Sequence, residues 1–286
     1  MFRRGITSTR LYTTFKHYST ATPMAKIQVR PHNARGHADH GWLDTYHTFS
    51  FASYFDPQFQ EFGALRVINE DTVKAGYGFG THSHREFEIF SYILSGELEH
   101  KDSMGNTEVL KRGDVQFTSA GTGISHSEHN ADKRRLNGTP VNFLQIWVKP
   151  TLEGRRTGPK YYTKSFSDEQ KQNTLAKLIS PKGSKPFDAD TIPIHEDFYM
   201  FASIVDAGKN VEYNVQAPLA ADKQTPRRVY IHLTHTGGEL SIEADRNKQV
   251  LKQGDGAFIT EVHPGDRLVF SNPGENKAEF VLFDMS

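Results

Sequence analysis

The stretch Leu110-Lys111-Arg112-Gly113-Asp114-Val115-Gln116-Phe117 decides the architecture, because it returns 141 residues later as Leu251-Lys252-Gln253-Gly254-Asp255-Gly256-Ala257-Phe258. Gly96-Glu97-Leu98 returns in the same way as Gly238-Glu239-Leu240, at an offset of 142. Two echoes in the same order and at nearly the same spacing indicate one unit duplicated in tandem. Gly-Asp at the centre is turn chemistry and Val115-Gln116-Phe117-Thr118 reads as a strand, so the repeated unit is built of β structure.

Working outward, residues 26–149 read as short strands between turns. Residues 46–51, Tyr-His-Thr-Phe-Ser-Phe, are aromatic and β-branched, Phe87 to Leu98 is strand-like with a break at Ser95-Gly96, and Asn142 to Val148 is a further apolar strand. Residues 150–190 are interrupted by Pro150, Gly154, Gly158, Pro159, Pro181, Gly183 and Pro186, which suggests a connection. Inside it, Ser167-Asp168-Glu169-Gln170 is a capping box and Leu175, Leu178 and Ile179 share one helical side, predicting one short helix. The expected organisation is an all-β chain with a leader at 1–24, a first domain at 25–150, a linker with a short helix at 151–190 and a second domain at 191–286. Many short strands with regular turns favour sandwiches or small barrels.

Composition narrows the function. Thirty-four basic residues balance thirty-four acidic ones, so no global field recruits nucleic acid or an anionic membrane. The absence of cysteine excludes disulfides, thiolate metal sites and cysteine nucleophiles. No apolar run approaches the about 20 residues that cross a bilayer.

Two short runs carry chemistry. His82-Ser83-His84 and His126-Ser127-Glu128 each place two metal-capable side chains at alternate positions, and alternate residues of a strand share a face. Three neutral imidazoles and one carboxylate suit a divalent transition metal with coordination positions left open. Glu88 and Glu86 have the same parity as the histidines on a continuous strand, so spacing alone leaves the fourth ligand undecided between them and Glu128. Carried through the repeat, His82 and His84 correspond to Gln224 and Pro226, and His126 and Glu128 to Arg267 and Val269. The second unit is therefore expected to keep the fold and lose the metal site. His232, His235 and His263 are not expected to build another, since His232 and His235 are three apart and on opposite strand faces. Phe49, Phe51, Phe90 and Tyr92 are strand aromatics whose ordinary role is core.

The motifs resemble a known family. Gly76, His82-Ser83-His84, Glu88 and Gly96 are similar to the first cupin motif, with one residue more than usual between the Glu and the last Gly. Gly113, Gly121-Thr122-Gly123, His126 and Asn130 resemble the second, with Ser119 and Gly121 displacing its usual proline. With Gly36-His37-Ala38-Asp39-His40-Gly41-Trp42 and a metal-free second unit, the chain from about residue 25 onward resembles the pirin family, although Ser83 stands where many members have proline. The resemblance implies a bicupin, two tandem cupin-type barrels, with a metal, usually iron, on His82, His84, His126 and Glu128; Mn, Ni, Cu and Zn are chemically acceptable too. It implies quercetin 2,3-dioxygenase activity; the expected substrate is a flavonol or similar enol that reacts with O₂, and Glu128, a carboxylate beside a cation and a substrate hydroxyl, is expected to exchange between metal ligand and general base. The family also contains iron-dependent regulators that bind partner proteins, which makes a redox-sensing regulator the rival expectation and a metal-stabilised scaffold a third.

The first two dozen residues differ in kind: Arg3, Arg4, Arg10 and Lys16 lie among six threonines and two serines, with no acid before Asp39. This is the make-up of a mitochondrial transit peptide, with Met24 as an alternative start that would leave the protein in the cytoplasm or nucleus. A reporter fused to residues 1–24 is expected to enter mitochondria; a purely cytosolic reporter refutes the expectation.

Overall fold

The computed structural model describes residues 24–184, 188–219 and 225–286, so all of the expected leader except Met24 lies outside the described residues. The first strands are β1 (Lys26–Arg30), β2 (Gly36–Asp39), β3 (Leu43–His47), β4 (Leu65–Val73), β5 (Gly78–His84), β6 (Glu88–Ser95), β7 (Leu98–Asp102) and β8 (Thr107–Leu110). They are followed by β9 (Asp114–Ser119), β10 (Ile124–Asn130), β11 (Val141–Val148), helix α1 (Leu152–Arg156), β12 (Lys160–Ser165), helix α2 (Asp168–Lys171), β13 (Ala176–Pro181) and β14 (Ile192–Ile194). The remainder is β15 (Phe198–Val205), β16 (Asn210–Asn214), β17 (Arg227–Leu233), β18 (Leu240–Ala244), β19 (Asn247–Leu251), β20 (Gly256–Val262), β21 (Arg267–Ser271) and β22 (Ala278–Met285). No helix among the described residues is long and apolar enough to cross a membrane.

The duplicated turn has a physical cause. Gly113 and Gly254 both take a left-handed φ, +85° and +77°, which a residue with a Cβ adopts only under strain. The carboxylates of Asp114 and Asp255 accept from the backbone N–H groups of Lys111 and Lys252 at 2.7 and 2.9 Å. Each glycine N–H donates to a neighbouring strand, at Ile93 O and Leu233 O, both at 2.9 Å. Lys-x-Gly-Asp thus closes on itself and launches β9 and β20.

Each unit is a seven-stranded sheet facing a four-stranded one. The first pairs β12-β9-β6-β11-β4-β3-β2 with β5-β10-β7-β8, and the second pairs β1-β20-β17-β22-β15-β13-β14 with β16-β21-β18-β19. Strands cross the expected boundaries: β1 hydrogen-bonds to β20 of the second unit, and β12 adds to β9 of the first. The described residues of 151–190 hold two short helices and two strands in place of a linker with one helix. The capping box forms, with Ser167 and Gln170 serving each other's backbone N–H groups, but α2 lasts one turn. Leu178 and Ile179 instead enter β13, where a register shift between Lys177 and Ile179 lets both adjacent side chains reach the same core.

The two barrel interiors differ sharply. Among the described residues twenty-two buried apolar side chains fill the second, including Phe201, Tyr213, Leu233, Ile242, Leu268, Phe270 and Leu282. The corresponding cluster of the first has seven, Leu43, Val73, Ile93, Leu98, Leu110, Val141 and Phe143, which plug one end and leave the rest to polar groups. A third cluster, including Phe49, Phe90, Tyr92, Tyr230, Phe258 and Phe283, joins the two large sheets, so three of the four strand aromatics are core.

Strand registers correct the expected correspondences between units. His126 pairs with His82 on β10–β5, and Leu268 pairs with Tyr213 on β21–β16. Asn130 and Asn272 confirm the alignment, since each side-chain amide donates to two backbone carbonyls around its own strand end. The counterparts of His82, His126 and Glu128 are thus Tyr213, Leu268 and Phe270, and Val215, which bonds Asp266 O, stands for His84. Two things displaced the expectation. Residues 85–87 link β5 to β6 whereas 215–226 link β16 to β17, so the offset fails upstream of β17 and Pro226 lies outside the barrel strands. On β21 a one-residue slip exchanges faces, turning Arg267 outward and Leu268 inward. Gln224 lies outside the described residues. The loss of the ligands in the second unit stands, because all four counterparts sit in its apolar core.

Phe270→Ala is expected to destabilise the protein by about 3–5 kcal/mol, the cost of a buried phenylalanine truncated in a packed interior. Urea unfolding measures it, and a loss below about 1 kcal/mol would contradict a filled second barrel.

Candidate metal centre

The centre is built on β5 and β10. Gly78 allows the close approach of these strands: a Cβ there would lie 2.4 Å from both Glu128 O and His129 Cα. Between the pairs His126↔His82 and Glu128↔Phe79, β5 carries one residue more than β10, a β-bulge. The extra residue changes parity, so that Phe79 packs on the apolar plug while His82 and His84 face inward with His126.

Three imidazoles converge. One nitrogen from each of His82, His84 and His126 lies within 4.8 Å of the others, the one such cluster among the described residues. His82 and His126 bring their Nε2 atoms to 3.1 Å, and the three ring centroids form a triangle with sides of 4.6–4.7 Å. His82 Nδ1 is 2.8 Å from Gly80 O; donation there leaves Nε2 with its lone pair toward the cluster. Burial, reinforced by the neighbouring histidines, pushes the pKa of His84 down to about 4 and that of His126 to about 3. Both are neutral at pH 7. Among the described residues buried His84 Nε2 has no protein partner, an arrangement that a bound cation would explain. The donor set therefore fits a divalent transition metal, for which bonds of about 2.0–2.1 Å to imidazole nitrogen are normal.

Glu128 is placed on the same inward face of β10, buried, but its carboxylate lies outside the three-histidine cluster. Ser91 Oγ is 3.0 Å from its Oε1, and Gln145 Nε2 donates to its Oε2 at 3.2 Å. Glu88 has another partner. β5 ends at His84 and Glu86 takes a φ of +62°, so the continuous strand assumed in counting parity is broken. Fully buried, Glu88 accepts from the backbone N–H of His195 at 3.1 Å and lies 2.7 Å from its Nδ1, binding the first unit to the second. Glu86 is exposed.

His232 and His235 do not lie on opposite faces of one strand, because β17 ends at Leu233. Both meet Glu70 of β4, His232 through Nε2 at 2.9 Å and His235 through its backbone N–H at 2.9 Å. Burial favours the acid form of Glu70, but the side-chain hydrogen bonds and charge of His232 and of His235, whose Nδ1 is 3.2 Å from Oε2, outweigh it and hold the carboxyl well below its ordinary range. The two histidines thus serve the junction between units.

Other parts of the site escaped sequence reasoning. Trp147 stands edge-on to His84 at 4.9 Å and also touches Phe51 and Phe87, forming an aromatic wall. Fully buried His100 packs 5.2 Å from His126. Burial pushes the Asp71 carboxyl up to about 7, although Thr45 donates to it. The readable signal for Ser91 and Gln145 was their isolation, one polar residue each inside Ile89–Ile93 and Phe143–Trp147. Outside, a cleft of about 470 Å³ lined by Ser83, Arg85, Ser103, Gly123 and Ser125 touches the cluster at His84.

Two β barrels in tandem, with a histidine cluster in the first and an apolar core in the second, define a bicupin. The chain matches the Pirin family over residues 28–148 and the quercetinase C-terminal cupin domain over residues 178–285. It is 38% identical over 261 residues to the quercetin 2,3-dioxygenase of Escherichia coli K12, covering 91% of this chain and 98% of that protein. It is 37% identical over 258 residues to a pirin-like protein of Caulobacter vibrioides, covering 90% and 99%. The crystal structure of the bacterial pirin YhhW from Escherichia coli in complex with nickel(II) superimposes with a TM-score of 0.75 at 33% identity, covering 91% and 99%. The chain belongs to the pirin family.

Glu88→Ala removes a buried partner of His195 and is expected to cost about 1–3 kcal/mol in urea unfolding while leaving one metal ion per chain. Loss of the metal without loss of stability would return Glu88 to the ligand set.

Proposed function

We propose that the protein is a metal-dependent dioxygenase that opens flavonols or similar enol-bearing aromatics with O₂. The observation that carries this reading is the convergence of three imidazoles, with a buried carboxylate on the same strand face and a cleft that opens outward at His84. Imidazole-rich sites of this kind accept several first-row ions, and the nickel(II) complex of the related pirin supports such an ion here. His82, His84 and His126 would hold it, with Glu128 as fourth ligand, and iron(II) is the ion the proposal favours. A bound ion would supply Lewis acidity and a place for O₂.

The chain's own residues supply the rest. Glu128 is the base: it takes the proton of the substrate hydroxyl, leaving an electron-rich enolate for reaction with O₂. Trp147, Phe51 and Phe87 offer an apolar edge along which a planar ring system lies beside His84. The names of the two quercetin 2,3-dioxygenases from Escherichia coli, at 38% and 43% identity, support the flavonol class.

Metal analysis of protein purified without added metal identifies the ion, and oxygen uptake with quercetin tests the reaction. His84→Ala is expected to lose both metal and turnover. Glu128→Gln is expected to keep metal and lose turnover by about 10²-fold or more, the usual worth of a positioned base. Full activity in both variants refutes the assignment, and metal binding without oxygen uptake favours a regulator that binds partner proteins.

A further inference from the structure

We propose that Ser91 and Gln145 form a seat for the Glu128 carboxylate, holding it off the histidine cluster and setting how readily it exchanges between that cluster and the hydroxyl of a bound substrate. The inference rests on the reading of Glu128 given above and adds two positioning residues to it.

The seat is a triangle of polar groups in which Ser91 and Gln145 are each flanked on their own strand by buried apolar or aromatic residues, Phe90 and Tyr92 on β6 and Leu144 and Ile146 on β11. Ser91 on β6 and Gln145 on β11 are register partners, and both side chains turn toward Glu128. All three residues are largely withdrawn from water, at 0, 8 and 2% exposure for Ser91, Gln145 and Glu128. A carboxylate so buried needs donors, and each of its oxygens has one within reach. Ser91 is the variable element. Its hydroxyl carries one proton and has two acceptors, Gln145 Oε1 at 2.7 Å and Glu128 Oε1 at 3.0 Å. When the hydroxyl points at Glu128, the carboxylate is held by two donors. When it rotates to Gln145, the Ser91 proton remains bonded and Glu128 keeps only the amide of Gln145. A single hydroxyl rotation thus loosens the carboxylate without leaving the hydroxyl unpaired.

The second unit supplies an independent observation. Ile231 pairs with Leu282 on β17–β22 as Ser91 pairs with Gln145 on β6–β11, and Ile231 pairs with Ala257 on β20 as Ser91 pairs with Gln116 on β9. Ser91, Gln145 and Glu128 therefore correspond to Ile231, Leu282 and Phe270, all buried in the apolar core. The same fold forms without the polar pair. Ser91 and Gln145 occur in the unit that has the carboxylate and the histidines, and are replaced together with them, which assigns the pair to the site and not to the barrel.

The test uses the full chain loaded with Co(II), whose visible bands report the ligand set, together with oxygen uptake on quercetin using the metal native to the purified protein. Ser91→Ala and Gln145→Leu are expected to keep one Co(II) per chain and to shift the bands. They should also lower kcat about tenfold with KM changed by less than about twofold, and displace the pH profile of turnover. Ser91→Thr, which keeps the hydroxyl, should restore both readouts. In a Glu128→Gln background neither substitution should move the bands. Unchanged bands and turnover in Ser91→Ala and Gln145→Leu overturn the seat, as do band shifts that persist in the Glu128→Gln background. Shifted bands that depend on Glu128, in a protein that takes up no oxygen, uphold the seat and refute the dioxygenase reading.

Discussion

The site depends on one irregularity, the extra residue that β5 carries opposite β10 between His82 and Phe79. A regular ladder would keep Phe79 on the opposite side from His82; the bulge puts Phe79 on the plug and both β5 histidines on the inward face. Gly78 permits the strands to close tightly enough for His82 and His126 to meet. In the second unit β16 and β21 pair without the shift, and Tyr213 and Leu268 meet as ordinary core neighbours.

Duplication separates two demands that conflict within one barrel. Buried imidazoles and carboxylates are costly and need partners, while packed apolar side chains stabilise by removing area from water. The second barrel meets the stability demand with a continuous core, and the first keeps only an apolar plug beneath its polar interior. The units are held together by more than the apolar contact of their large sheets. Glu88 binds His195, Glu70 binds His232 and His235, and Glu279 of β22 accepts from Tyr92 at 3.0 Å and from Arg112 at 2.8 Å. Arg112 belongs to the repeated turn, so the duplicated motif both launches a strand and anchors its unit to the other.

Strand exchange adds to this coupling. The first described strand, β1, lies at an edge of the second unit's large sheet; the chain then builds the first unit and lays β12 on that unit's edge before completing the second. Each unit therefore has an edge covered by chain from beyond its own central segment, which protects pairing groups that an open edge would expose.

The all-β class, the duplication and the histidines were legible from the residues alone, because these depend on local signals: Lys-x-Gly-Asp closes its own turn, and alternate residues share a strand face. Ser167 to Gln170 also read as a helix cap, which forms although the helix lasts one turn. Only the tertiary structure decided what lay across strand pairs. Glu88 and Glu86 matched the histidines in parity, yet the strand ends at His84 and Glu88 turns to His195, more than a hundred positions away in sequence. The correspondence between units slipped by one residue on β21 and failed before β17, because a linear offset cannot register bulges or unequal loops. Ser91 and Gln145 appeared in sequence as isolated polar residues. Their meeting with Glu128 requires β6, β10 and β11 to be brought together around one interior, and it is that long-range pairing which makes them part of a site.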